Sequence, residues 1–395
     1  MPHRKNITLV FNHFETEHFG KDVFLVPYYL GKIYNLDVTI VFPETNTNKD
    51  FPSNLQGVLL RSLKNPFSKK PYSGLRILKE LVFIFYVIRN AKKMNILMRF
   101  HLSEETVLTG FLYKLLNPKG FLYIKSDTDG TLQTLNDNFS IMSLKLPFKL
   151  LKRLIYKYFL KTFDLLTVET KTVYHASLDF NILGMAISPK TRLLHNGFDK
   201  EKFLKYNFRN YDFSEKENLI ITVGRLGTKQ KNTELLLKAI EKIDLKEWKV
   251  LFIGFIEKEE TDFQKYIDNF YLKYSNLQEK VFFTGPIYDK EKLWEIYNKA
   301  KIFVLTSRWE GFANVFSEAL VFRNYIISTD VGGASDMIEM GYGELIPKEN
   351  ASFLQKTLQR IINEDRLGYL YKTVNWENID ISWEAGIKKA FSGFL

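Results

Sequence analysis

The sequence predicts an α/β protein made of two doubly wound parallel-sheet domains facing a central cleft. Three observations carry this. Residues 1–200 alternate apolar strands with helical stretches: ITLVF (7–11), VTIVF (38–42), NILMRF (95–100), FLYIKS (121–126), LLTVE (165–169) and TRLLH (191–195). The pattern restarts with LIITVG (219–224), KVLFIG (249–254), VFFTG (281–285), KIFVL (301–305) and YIIST (325–329). At 395 residues the chain exceeds one ordinary core. Strands separated by helices imply parallel sheets with ligands at the strands' carboxyl ends. The turn HNGFD sets the boundary, giving domains 1–198 and 199–375, followed by a terminal helix over 376–395 with Trp383, Ile387 and Phe391 on one face.

Composition narrows the function. Hydrophobic content of 45% and charged content of 26% are globular values. The chain has no Cys, which removes disulfides and thiolate metal sites and fits a reducing cytoplasm. The N-terminus lacks a sustained apolar h-region, so no signal peptide is expected. The longest apolar run, LVFIFYVI (81–88), is far short of the ~20 residues of a spanning helix. The net charge of +11 sits wholly in the first half, where residues 1–200 hold 28 basic residues against 16 acidic ones. A basic face attracts nucleic acid, anionic lipid or a polyanionic substrate.

In the first half, the loop Asn12 to Asp22 is polar, with a single glycine, Gly20. It reads as a plain connector or as an acceptor-side loop whose backbone approaches a bound sugar. His101 follows a strand, and Ser103-Glu104-Glu105 opens the next helix. That position gives His101 a structural or a functional reading in equal measure. Asp127 or Asp129 in KSDTDG faces the ligand or sits in a solvated turn. Basic, aromatic helices are expected near 76–93 and 144–163, the second with Phe148, Leu151, Ile155 and Phe159 ringed by Lys149, Lys152, Arg153 and Lys157. Each is a core helix with a charged face or an interfacial helix on anionic lipid, where a basic residue adds ~1 kcal/mol. No nucleic-acid motif accompanies the charge, and no nucleic-acid partner is expected.

In the second half, VGRLGTKQKN (223–232) turns at Gly224 and brings Arg225 and Lys231 to the sheet's carboxyl end. Two cations there neutralise a diphosphate without metal. Gly285-Pro286-Ile287 presents backbone to a nucleotide base or forms a simple turn. LTSRWEGFANVFSEALVFRNYIISTDVGGASD (305–336) then reads strand, turn, helix, strand, Gly-Gly turn. Asn314 is read as the helix N-cap, with Val315, Ala319 and Phe322 as the buried face. Glu310 lies in the turn and Glu318 about one helical turn inside. Between them the free N–H groups of Gly311, Phe312, Ala313, Asn314 and Val315 form an anion site. Two carboxylates flanking a phosphate site suit a nucleotide sugar.

Together these residues make the chain resemble the retaining glycosyltransferases of family 4, which have the GT-B fold of two Rossmann-like domains. EGFANVFSE matches that family's E-x7-E signature, and VGRL with Lys231, HNGFDKEKF (195–203) and TDVGGASDMI (329–338) match its other blocks in order. The likeness is strong over 195–385; in the first domain, Phe100-His101 looks like the family's histidine after a strand. The resemblance implies that Arg225 and Lys231 bind the donor diphosphate, Glu318 the ribose hydroxyls and Glu310 the donor sugar. It further implies His101 near the reacting centre and a C-terminal helix returning to the first domain. The Arg-to-Lys loop is one residue longer than the common spacing, which makes Lys229 a rival to Lys231. Asp336 stands where the family often has Glu, and its role is open.

The expected activity is retaining transfer from a UDP- or GDP-sugar to a saccharide hydroxyl. Closure of the domains keeps water out, and the departing phosphate helps accept the acceptor's proton. No Asp and His cluster has ligand spacing, so no metal and no cofactor are expected. The basic helices favour a lipid-linked acceptor and a peripheral place on the cytoplasmic face of the inner membrane, in envelope polysaccharide or glycolipid synthesis. A non-catalytic nucleotide-sugar-binding protein, or an epimerase or hydrolase on the same fold, is the alternative.

Overall fold

The structure, a computed structural model, describes residues 4–64, 76–127, 146–257, 261–364 and 366–395. Asp129 and the start of the 144–163 stretch lie outside them. The chain divides into two compact units, Met1–His195 with Trp383–Leu395, and Asn196–Ser382. The turn Asn196-Gly197-Phe198 therefore belongs to the second unit, a few residues ahead of the boundary read from sequence. Phe198 N–H donates to Ile381 O at 2.8 Å, which ties both ends of that unit together.

The first unit holds β1 (Asn6–Val10), β2 (Asp37–Pro43), β3 (Asn54–Leu55), β4 (Val58–Leu63), β5 (Ile96–Phe100), β6 (Phe121–Ser126) and β7 (Leu165–Val168). A short ribbon, β8 (Asn181–Ile182) with β9 (Met185–Ala186), precedes β10 (Thr191–Leu193). The sheet runs β10-β7-β6-β5-β1-β2-β4-β3, and only β3 is antiparallel to its neighbour. Strands β5 and β7 are buried along their whole length, as continuous apolar runs must be when helices cover both faces of a parallel sheet. The chain reverses its winding between β1 and β5, so Phe11–Lys21 and His101 leave the sheet side by side at its carboxyl edge.

The second unit holds β11 (Glu217–Val223), β12 (Lys249–Ile253), β13 (Val281–Gly285), β14 (Ala300–Leu305), β15 (Tyr325–Thr329) and β16 (Gly343–Ile346). Its all-parallel order, β13-β12-β11-β14-β15-β16, is the doubly wound 3-2-1-4-5-6 arrangement. The winding reverses between β11 and β14. Beneath them Lys216 is buried and donates to the carbonyls of Asn298, Ala300 and Phe322 at 2.8, 3.0 and 2.8 Å. Burial, reinforced by Arg323 and Lys301, pushes its ammonium down to about 7.

The terminal helix Trp383–Phe391 packs on helix Asp22–Tyr34 within the first unit. Trp383, Ile387 and Phe391 are 1%, 0% and 0% exposed. At ~1.5–3 kcal/mol for each large apolar side chain removed from water, this face is ample reason for a short helix to dock. The basic stretches form helices Arg76–Asn90, with a 3₁₀ turn Ala91–Lys93 after it, and Leu146–Thr162. Both pack against helix Glu104–Leu116. Ser103 caps that helix, its hydroxyl accepting from Thr106 N–H at 3.3 Å. Strands β4 and β16 were not visible as strands in the sequence: VLLRSL and GELI are short outer runs broken by polar residues.

Candidate functional site

The reversal between β11 and β14 is where the second unit gathers its polar side chains. The loop after β11 passes Gly224 directly under the loop after β12. A Cβ on Gly254 would fall 1.7 Å from Gly224 O, so glycine is what allows the two loops to close on each other. The loop after β14 is stapled to the first: Arg308 N–H donates to Gln230 O at 2.8 Å, Thr306 Oγ1 to Asn232 O at 3.0 Å, and Gln230 Nε2 to Trp309 O at 3.1 Å. Arg225, Lys231 and Glu310 are brought together by these bonds.

Glu310 is 7% exposed, and its carboxylate is held from three sides. Lys231 Nζ and Ser307 Oγ each reach Oε1 at 2.6 Å, while Gln230 Nε2 reaches Oε2 at 3.3 Å. Arg225 stands at the solvent side, donating to Gln230 Oε1 at 2.7 Å and pairing with Glu257 at 3.4 Å. Lys229 points into solvent, its carbonyl accepting from Arg308. Of the two rival lysines it is Lys231 that meets Glu310.

Helix Asn314–Val321 follows, and here the sequence reading is corrected. Ala313 is the N-cap and Asn314 the first helical residue, because the chain enters the helix through Ala313 in an extended conformation. Asn314 Oδ1 is buried without a hydrogen-bond partner among the described residues. Ala319 and Phe322 are buried as their spacing implies, with Phe316 and Leu320 beside them, and only Val315 of the expected face is half-buried. Two contacts fix the turn ahead of the helix. Asn196 Nδ2 donates to Phe312 O at 3.1 Å, and a Cβ on Gly332 would fall 1.8 Å from Gly311 O, so Gly332 packs backbone to backbone on Glu310-Gly311 while Gly333 lies against the Phe312 ring. The HNG and GGAS blocks thus aim the N-terminus of the Asn314 helix. Asp336 is buried in helix Ala334–Met340 and interacts there.

Glu318, 8% exposed, accepts from Lys290 Nζ and, at 3.2 Å, from Trp294 Nε1. Each carboxylate of the pair is therefore capped by a lysine, and the helix N-terminus lies between them. Ile287 is half-buried on the same side of the sheet, after β13. A pocket of about 570 Å³ opens next to Gly285 and Pro286, lined by Leu226, Phe255, Tyr271 and Phe283 and containing neither carboxylate.

In the first unit, His101 is exposed in a left-handed conformation, φ 59°, that non-glycine residues adopt rarely. Its N–H donates to Lys125 O at 2.8 Å, and Nδ1 lies 3.3 Å from Asp127 O. His101 and Asp127 are thus neighbours, through a main-chain contact. Gly20 ends the 3₁₀ turn Thr16–Gly20, with open space among the described residues where a Cβ would be, so none of them demands glycine there. Beneath these loops Lys125 is fully buried between Asp22, at 2.8 Å, and Glu169. Burial works against its charge, but the two carboxylates hold the ammonium above its ordinary value.

Sequence reasoning missed Gln230, Ser307, Lys290, Trp294 and Lys125. Only Lys290 and Trp294 left a trace, an i, i+4 spacing on one helix.

Comparison with known proteins follows the same outline. Residues 205–373 match the model of the family described as Glycosyl transferases group 1. Over this stretch the chain is similar to the group 1 glycosyltransferases. An uncharacterized glycosyltransferase of Methanocaldococcus jannaschii is 28% identical over 216 residues, 54% of this chain and 54% of that protein. An α-1,4-N-acetyl-D-galactosaminyltransferase of Campylobacter jejuni, named for a diNAcBac-PP-undecaprenol-linked substrate, is 32% identical over 157 residues, 38% of this chain and 40% of that one. The matched stretches thus span about half the length of these relatives or less. Among solved structures, Anabaena HepE in complex with UDP aligns with a TM-score of 0.69 at 15% identity, over 98% of this chain and 100% of that one. The sucrose-phosphate synthase of Thermosynechococcus elongatus aligns with a TM-score of 0.66 at 19% identity, over 98% and 97%. The fold is GT-B, and the stretch that matches the group 1 family carries the Glu310–Glu318 site.

Proposed function

We propose that this chain is a retaining glycosyltransferase that moves a sugar from a UDP- or GDP-sugar to a hydroxyl of a lipid-linked saccharide, in bacterial cell-surface polysaccharide or glycolipid synthesis. The observation that carries the reading is the pair of lysine-capped carboxylates bracketing a helix N-terminus at the winding reversal of the second unit. Arg225, Lys231 and the first N–H groups of the Asn314 helix hold the diphosphate, and their charge stabilises it as it leaves. This role needs no metal. Glu310 binds the donor sugar, Glu318 the ribose and the backbone at Ile287 the base, while His101, Asp127 and the Gly20 loop serve the acceptor side. The departing phosphate takes the acceptor's proton on the same face, which keeps the anomeric configuration.

The surface of the first unit supports a membrane-bound acceptor. Leu150, Leu151 and Leu154 are 57%, 56% and 66% exposed on helix Leu146–Thr162, next to Lys149, Lys152, Arg153 and Lys157. Phe85 and Ile88 on helix Arg76–Asn90 are also exposed. Exposed leucines ringed by lysines suit the anionic, cytoplasmic face of a membrane. Among the described residues no helix is long and apolar enough to cross it.

The test is product formation from a panel of UDP- and GDP-sugars with undecaprenyl-diphosphate saccharides, read by mass spectrometry, with the anomeric configuration read by NMR. Acceptor-dependent product with the donor's configuration is expected. Free sugar released without acceptor indicates a hydrolase, and nucleotide-sugar binding without turnover a non-catalytic binding protein.

A further inference from the structure

Glu318 is held by a device outside the sequence blocks that drew attention to the site, on helix Lys290–Lys299. Asp289 caps this helix, accepting from the N–H groups of Glu291 and Lys292 at 3.0 and 3.3 Å. Lys290 and Trp294, four residues apart, share one face, and both donate to the same oxygen of Glu318, Oε1. They differ in freedom. Trp294 is 1% exposed and wedged among rings, with Phe198 at 4.7 Å and Phe322 at 5.9 Å between centroids, so its N–H points one way only. The Lys290 side chain is 32% exposed, and its ammonium also lies 5.6 Å from the centre of the Trp294 ring.

We propose that Trp294 is a positioning residue for recognition of the donor's ribose, acting through Glu318, and that Lys290 is a removable cap on the same carboxylate. The inference rests on the donor-site reading above. A carboxylate accepts at about four lone-pair positions, and a ribose diol offers two O–H donors side by side. The fixed indole N–H engages Oε1 beside the buried Tyr297, and the diol takes acceptor positions of the carboxylate that the protein does not fill. Lys290 neutralises Glu318 when no nucleotide is bound. When the diol arrives, the ammonium withdraws along the ring face, where a cation is still favoured. Recognition of this kind discriminates ribose from 2′-deoxyribose, because a site built around a hydroxyl rejects a ligand that lacks it.

The experiment is isothermal titration of the full chain with UDP against 2′-deoxy-UDP, and GDP against 2′-deoxy-GDP, for wild type, Trp294→Phe and Lys290→Gln. Wild type should prefer the ribose form by about tenfold or more. Trp294→Phe keeps the packing and loses the N–H, so the ribonucleotide alone should weaken and the preference fall to about twofold. Lys290→Gln, on a partly exposed side chain, should keep the preference and bind the ribonucleotide at least as tightly. Equal weakening of both nucleotides in Trp294→Phe would mean a merely structural role and overturn the proposal, as would a preference unchanged in that variant or lost in Lys290→Gln. Wild-type binding without ribose preference overturns the proposal alone. Absence of any nucleotide binding overturns the donor-site reading with it.

Discussion

Replacing Lys231 by Met tests whether the Lys231–Glu310 pair is a structural part of the protein as well as of the site. The ammonium and carboxylate are 2.6 Å apart with side chains 16% and 8% exposed, so removing the cation strands a nearly buried anion. Breaking such a pair from one side costs ~3–5 kcal/mol in the general case. Ser307 and Gln230 still donate to Glu310 in the variant, which lowers the expectation to ~2–3 kcal/mol. At ~2–4 °C per kcal/mol for a domain of this size, the second unit should melt ~5–10 °C lower, read by differential scanning calorimetry. Adding Glu310→Gln removes the stranded charge, so the double variant should recover about half of the loss, a coupling of ~1–2 kcal/mol. A Lys231→Met protein melting within about 1 °C of wild type, or strictly additive effects in the double variant, would refute the reasoning.

Other expectations follow from single contacts. Gly332→Ala places a Cβ against Gly311 O and must push the Glu310 turn aside, so it should lower stability by ~1–3 kcal/mol and abolish protection by nucleotide in the same melting assay. Lys216 carries its proton up to about pH 7 when folded, whereas the unfolded chain keeps it to the ordinary lysine value of ~10.4. Between these values the unfolded state binds more protons, so this residue makes stability rise with pH from about 7 to about 10, and Lys216→Met should flatten the rise in melting temperature between pH 7 and 9. Leu150→Asp with Leu154→Asp replaces two exposed apolar side chains by anions, and co-sedimentation with phosphatidylglycerol vesicles should drop about tenfold or more while the melting temperature is unchanged.

Much of this molecule was legible in its sequence because parallel strands buried on both faces read as unbroken apolar runs. ITLVF, NILMRF, LIITVG and YIIST lie on strands β1, β5, β11 and β15, and Trp383, Ile387 and Phe391 form one buried face as their spacing implies. Strands β4 and β16 escaped because an outer position tolerates polar residues and erases the run. The position of Glu310 and Glu318 around a helix start was legible because the motif is contiguous. Its supports were not. Gln230, Lys290 and Trp294 reach the carboxylates from other loops and helices, and no local pattern announces a hydrogen bond across 24 to 80 residues of chain, while Ser307, three residues before Glu310, is an ordinary loop serine by sequence. Asn314 shows the limit of propensity. It is a favoured cap by residue type, yet the close approach of Gly332 to Gly311 and the Asn196 bond to Phe312 set where the chain enters the helix, and they make Ala313 the cap. The left-handed backbone of His101 likewise comes from its place at the end of β5 and not from any local signature.

The donor site has its most direct test in a thermal-shift titration with UDP, GDP, ADP and dTDP on wild type, Glu318→Ala and Arg225→Ala. One nucleotide should stabilise the wild-type chain by ~2.7 kcal/mol at 100 times its dissociation constant, and the shift should vanish in both variants. A wild-type protein indifferent to all four, or a shift that survives both substitutions, would contradict a nucleotide-sugar site at Glu310–Glu318.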